Sequence, residues 1–179
     1  TYTACNPGTV ASGLGCVNCP AGQFSAVAGQ KSCSPCAAGS FSNVGKSFCT
    51  QCSPGTFAPN ISSSACAECG NGLFSNVAGS LQCSVCSAGS YSSYRFPTVC
   101  TACVPGMYQP AGGASSCINC PPGKFSQFSG EVQCTGCGAG TFQALSGKSF
   151  CDVCPAGKFT GPGSPNCTLC APGKFTGVV

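Results

Sequence analysis

The side chains able to do chemistry in this chain are almost all thiols. Of its 179 residues 21 are cysteine, and there is no histidine. Twenty of the cysteines form ten Cys-x-x-Cys pairs: Cys16/Cys19, Cys33/Cys36, Cys49/Cys52, Cys66/Cys69, Cys83/Cys86, Cys100/Cys103, Cys117/Cys120, Cys134/Cys137, Cys151/Cys154 and Cys167/Cys170. The pairs recur every 16 or 17 residues, and Cys5 stands ahead of them. Three chemistries suit such pairs: zinc bound by four thiolates, thiol–disulfide redox exchange, and structural disulfides formed outside the cytosol. Acid–base catalysis would fall to Glu68, Glu131 and Asp152. These occupy three repeats and three registers, so no shared site is expected and the chain does not read as an enzyme.

Cys-x-x-Cys-x(13)-Cys-x-x-Cys lies just short of zinc-ribbon spacing, and ten pairs would make five four-cysteine sites. Each such site carries about −2, so five would bring roughly −10 into a chain with only seven cations. The period is also uniform, with nothing to separate gaps within a site from gaps between sites. No βαβ pattern surrounds any pair, as a thioredoxin-like motif requires, and no clustered carboxylates precede the cysteines as in calcium-binding modules. The expectation is therefore no metal and no cofactor, with oxidised thiols in an extracellular or cell-surface setting.

A fixed short period marks a repeat array in which each unit contacts mainly its neighbours. A glycine lies three residues past the second cysteine of every unit, from Gly8 to Gly173, and prolines precede five of these glycines. Pro-Gly suits the two central positions of a type II turn. Two residues further on comes an aromatic, from Phe24 to Phe175, with Val10 in its place in the first unit. A second glycine usually sits four before the next cysteine: Gly29, Gly45, Gly79, Gly113, Gly130, Gly147 and Gly163. This pattern predicts a short strand around the aromatic, a glycine turn, and a strand returning into the next cysteine, with the aromatic as a mini-core. A phosphate cradle would need a helix after the glycines, and none is predicted. The expected fold is small, disulfide-rich and all-β: an elongated rod of tandem hairpin repeats of about 17 residues.

Two units depart from the pattern. Between Cys52 and Cys66 the second glycine is absent, and Asn60-Ile61-Ser62 is an N-glycosylation sequon at a polar turn expected to be mobile. Asn166-Cys167-Thr168 is a second sequon, whose central cysteine, once oxidised, would hinder the transfer. Between Cys86 and Cys100, Phe96 stands in the place of the glycine, and the loop Tyr91–Pro97 holds the only arginine, Arg95. That loop is where a ligand would be sought. Charged residues make up only 6% of the chain against about 25% in ordinary domains. The net charge of +4 forms no cluster, so no nucleic-acid partner is expected. No stretch approaches the roughly 20 apolar residues of a membrane span. The sequence begins and ends inside a repeat, and so reads as part of a longer chain.

The motif C-x-x-C-P-x-G-x-F-x(4)-G-x(3)-C runs from Cys117 through Cys120, Gly123, Phe125 and Gly130 to Cys134. It resembles the ephrin-receptor-like cysteine-rich repeat and the first module of TNF-receptor cysteine-rich domains, and the resemblance extends along the whole chain. The second TNF-receptor module, with its two crossed disulfides, has no counterpart here. In that family the cysteine before P-x-G pairs with the one that closes the same loop. The resemblance thus implies Cys5–Cys16, Cys19–Cys33, Cys36–Cys49, Cys52–Cys66, Cys69–Cys83, Cys86–Cys100, Cys103–Cys117, Cys120–Cys134, Cys137–Cys151 and Cys154–Cys167. The implied units are 5–16, 19–33, 36–49, 52–66, 69–83, 86–100, 103–117, 120–134, 137–151 and 154–167, with 170–179 starting a further repeat. An odd cysteine count agrees with this pairing, leaving Cys170 over.

The function expected is structural. The repeats would form or decorate an extracellular filament or a cell-surface or flagellar appendage, mastigoneme-like, of a eukaryotic microbe. Its partners would be further copies or other fibre subunits, with covalent glycans at Asn60 and Asn166. The alternatives are the stalk of a receptor or adhesin ectodomain, which the resemblance implies, and a protist surface antigen.

Overall fold

A computed structural model describes residues 4–13, 15–93 and 97–174. The expected places of Phe96, Tyr94, Arg95 and Phe175, and that of a preceding cysteine at Tyr2, lie outside the described residues. Within them there is no α-helix. Twenty short strands pair into ten two-stranded antiparallel sheets, one per repeat. The chain divides into two compact units, Thr1–Ser84 with Tyr94–Val99, and Val85–Ser93 with Cys100–Val179.

Each repeat begins with a tight turn. In the Cys103 repeat the N–H of Met107 donates to the carbonyl of Val104 at 3.0 Å, which puts Pro105 and Gly106 at the turn's centre. Gly106 has φ +89°, the value a type II turn requires at that position. The chain then runs straight into the first strand. The second strand lies slightly later than the sequence suggests. Ser40–Phe41 pairs with Thr50–Gln51, and Met107–Tyr108 with Ile118–Asn119. From the second repeat on, the returning strand therefore occupies the two residues between the cysteines of each pair, whereas in the first it also takes in Gly15 and Cys16, as the sequence suggests. The reason is that the intervening turn makes its backbone hydrogen bonds to other repeats and leaves the hairpin free to close further along.

Burial also departs from expectation. The aromatics from Phe24 to Phe142 are only half buried, and Phe159 is exposed. The innermost side chains are the half-cystines that open each repeat: Cys19, Cys36 and Cys52 in the first unit, and Cys86, Cys103 and Cys120 in the second, are wholly inaccessible. Beside them lies the residue after each aromatic, because successive strand side chains point to opposite faces. This position is Ser25, Ser42, Ala58 or Ser75 in the first unit, and Ser92, Gln109, Ser126, Gln143 or Thr160 in the second. Burying such polar groups requires partners, and the packing supplies them. Ser42 Oγ donates to the Gln23 carbonyl at 2.9 Å, and Ser126 Oγ to the Met107 carbonyl at 3.1 Å. Gln109 and Gln143 instead fold back on their own loops, with Nε2 donating to the carbonyls of Ser116 and Phe150. With so little aliphatic volume per repeat, sulfur and small hydroxyls fill the centre.

Candidate functional site

Covalent closure comes first. Ten disulfides join Cys5 to Cys16, Cys19 to Cys33, Cys36 to Cys49, Cys52 to Cys66, Cys69 to Cys83, Cys86 to Cys100, Cys103 to Cys117, Cys120 to Cys134, Cys137 to Cys151 and Cys154 to Cys167. Their Cα–Cα distances, 5.6 to 5.8 Å, sit in the usual disulfide range. Cys170 is free and half buried. Each bond locks the turn-and-first-strand end of a repeat to the start of its returning strand.

On this scaffold lies a seam between repeats, made by the turn that precedes each closing cysteine. Within the first unit, the N–H of Gly45 donates to the Cys19 carbonyl at 2.8 Å, one repeat back. The Gly45 carbonyl then stands where a Cβ on Gly8, two repeats back, would be. Gly79 repeats the arrangement on Cys52 and Gly39. Within the second unit Gly130 sits on Cys103 and Gly89, Gly147 on Cys120 and Gly106, and Gly163 on Cys137 and Gly123. Within each unit, repeats thus meet their second neighbours as well as their first, which corrects the nearest-neighbour expectation. The early glycines bond along the same seam: the N–H of Gly106 donates to the Ser126 carbonyl at 2.8 Å, and that of Gly123 to the Gln143 carbonyl at 2.7 Å. Two constraints therefore act on these glycines, a positive φ and the absence of room for a side chain.

The Asn60 loop obeys the same rule by other means. Ser62, four residues before Cys66, takes φ +58° and is the one non-glycine at positive φ among the described residues. Its N–H donates to the Cys36 carbonyl at 2.9 Å and its carbonyl stands against Gly22. The loop expected to be mobile is thus pinned at its sequon serine, and the missing glycine is replaced by a serine in a glycine's conformation. A left-handed serine is not readable from a sequence pattern. Asn60 and Ile61 on the rim stay exposed, and the Asn60 carbonyl accepts Ser63 Oγ at 2.8 Å. Asn166 is exposed too, beside the bonded Cys167.

The three carboxylates lie on three different repeats. Glu68 and Asp152 lie on exposed returning strands of different repeats, and Glu131 lies in a seam turn whose carbonyl accepts the Gln109 N–H at 3.0 Å. Among the described residues no group of three or more His, Cys, Asp or Glu is placed to hold a metal ion. No helix there is long and apolar enough to cross a membrane. The irregular loop is described only at Tyr91–Ser93 and from Pro97 onward. Tyr91 and Ser93 border an open cleft in the second unit that also involves Val104 and Met107.

Comparison with known families agrees with this architecture. The family described as tyrosine-protein kinase ephrin type A/B receptor-like matches residues 39–86, 89–130 and 123–163, well over half of the chain. No curated protein matches the chain.

Proposed function

This chain belongs to the ephrin type A/B receptor-like family of cysteine-rich repeats, and on that premise we propose that it is a structural array that forms or decorates an extracellular filament or surface appendage. An extracellular repeat module of this family needs oxidised cysteines, and the ten disulfides fit that setting. The observation that carries the filament reading is the repeated seam. Turns in both compact units make the same two contacts with the two repeats before them. Equivalent units in equivalent surroundings suit a fibre, where any stretch presents the same surface as any other. The scarcity of charge points the same way, because a surface so poorly charged tends to associate unless other subunits or sugars cover it. The reading includes no catalysis, as expected of a chain without histidine whose three carboxylates fall in three different repeats. Micrographs of native material should show fibres labelled along their length by an antibody to this chain. Dispersed monomers, with no native fibre containing the chain, would overturn the reading.

Family membership favours a second reading, the stalk of a receptor or adhesin. A full-length chain with a membrane span and a separate binding domain would decide for it.

Glycans supply the hydration that charge does not. Asn60 is exposed on a turn held by the Ser62 N–H and by Ser63 Oγ on the Asn60 carbonyl, neither of which uses the Asn60 side chain, so a sugar there displaces no packing. Asn166 sits against a disulfide. Peptide mapping of native material should find Asn60 modified in most copies and Asn166 in fewer. An unmodified Asn60 would leave subunit packing alone to cover the surface.

A further inference from the structure

The shortest covalent route along this array does not follow the backbone. It runs from Cys36 across sulfur to Cys49, along Thr50 and Gln51 to Cys52, across sulfur to Cys66, and so on from bridge to bridge. Each bridge spans 5.6 to 5.8 Å between Cα atoms and closes a sequence separation of 11 to 14. The backbone it bypasses reaches about 35–50 Å when straight. A pull on the ends therefore tightens the short route first and leaves each bypassed loop slack. The two residues between bridges belong to the returning strands, as at Thr50–Gln51, Thr101–Ala102 and Ile118–Asn119, and so are already extended. Bridges and strand segments have almost no further length to give.

We propose that this array is a mechanical tether whose tension passes through the disulfides and the two-residue segments between them, with the turns, the first strands and the seam outside that route. The inference rests on the structural reading of the chain and holds for filament and stalk alike, since both are pulled along their length. Each repeat then contributes at most about 17 Å, and the span from Cys5 to Cys167 at most about 150 Å, against about 550 Å for the unbridged backbone. The seam is held by single backbone hydrogen bonds, such as the Gly130 N–H on the Cys103 carbonyl, which give way long before a covalent bond does. Their loops stay slack, so the bonds re-form on release. Departures from the repeat pattern such as Asn60-Ile61-Ser62 fall inside bypassed loops, where a change of sequence leaves the route of tension as it is.

Pulling single molecules of the full chain by their ends tests this. With its bridges intact the chain should reach its limit without any step of tens of ångströms. A dithiol reductant then attacks one sulfur of a bridge, the other leaves as a thiolate, and the second thiol of the reductant completes its own disulfide. Each such event should lengthen the chain by about 40 Å, the loop released less the bridge lost, as for Cys103–Cys117. Events should come faster at higher force, because the breaking bond carries the tension. Ten residues inserted between Ala111 and Gly112, both exposed in that loop, should leave the intact limit unchanged and lengthen one step by about 35 Å. Cys103→Ala with Cys117→Ala should raise the intact limit by about 40 Å, whether or not that repeat keeps its fold. Three results would each overturn the proposal: an intact chain that lengthens by hundreds of ångströms, steps of only a few ångströms on reduction, or reduction no faster under force. None of them touches the filament reading. Native fibres that lack the chain would overturn that reading and leave the route of tension standing.

Discussion

Gly106→Ala should destabilise the second compact unit by about 2–5 kcal/mol, while Gly130→Ala, at a seam-turn glycine of the same unit, should cost only about 1–2 kcal/mol. The two glycines share their backbone demand, with φ +89° and +79°, so each alanine meets the penalty of a left-handed conformation. They differ in what the new methyl meets. On Gly106 it would overlap the Gly147 carbonyl oxygen and lie 2.7 Å from the carbonyl carbon, whereas on Gly130 it meets nothing within 4 Å. The obstructing atoms are backbone, so no rotamer change relieves the clash. Relief requires the turn to withdraw, and with it goes the bond from the Gly147 N–H to the Cys120 carbonyl. An array of repeats does not unfold in two states, so a local measurement is the better one. Amide exchange at Gly147 should accelerate strongly in Gly106→Ala and stay near its native rate in Gly130→Ala. Equal effects from the two substitutions would mean that the seam to the second neighbour does not contribute to stability.

The contrast between these glycines also marks how far the sequence speaks for itself. The cysteine period and the Pro-Gly turns reveal a chain of small β-hairpins, because both are local: a turn needs its own four residues and little else. Ten pairs of strands and the turn at Val104–Met107 follow that logic. The seam is not local. A repeat of 17 residues says that successive units are alike, but not how far each is rotated from the last. That rotation decides whether Gly106 meets the repeat after it or the one beyond. The burial of Ser126 and Gln143 in place of their aromatic neighbours was hidden for the same reason, since which face of a two-residue strand turns inward depends on what packs against it. Ser62 shows the converse. Its left-handed conformation is imposed by the Cys36 carbonyl and by Gly22, contacts that no window around Asn60 contains. The cleft beside Tyr91 is likewise assembled from side chains of two successive repeats.

Reduction should have the largest effect of all. Among the described residues the only buried aliphatic side chains are Val10 and Ala58, and the rest of the interior is half-cystines and small polar groups. A loop with a sequence separation of 14, as between Cys103 and Cys117, restricts the unfolded chain by about 3 kcal/mol in the loop-entropy model. Ten such closures together exceed the roughly 5–15 kcal/mol of net stability that folded domains have. Full reduction should therefore abolish the β-sheet circular dichroism signal in buffer without denaturant. A strong chelator should leave that signal unchanged. Native chain should weigh about 20 Da less than the reduced form, from two hydrogens lost at each bond, with Cys170 still open to alkylation. Removing one bond is a milder version of the same test. Cys103→Ala with Cys117→Ala loses that loop closure and also opens a cavity at a fully buried position, for a cost of about 3–5 kcal/mol. Amides of the flanking turns, Gly106 and Gly130, should report it first, because Gly130 bonds to the Cys103 carbonyl and Gly106 follows in the same repeat. A reduced chain that kept its sheet signal, or zinc released in proportion to the protein by the chelator, would show that the cysteines do other work than closing these loops.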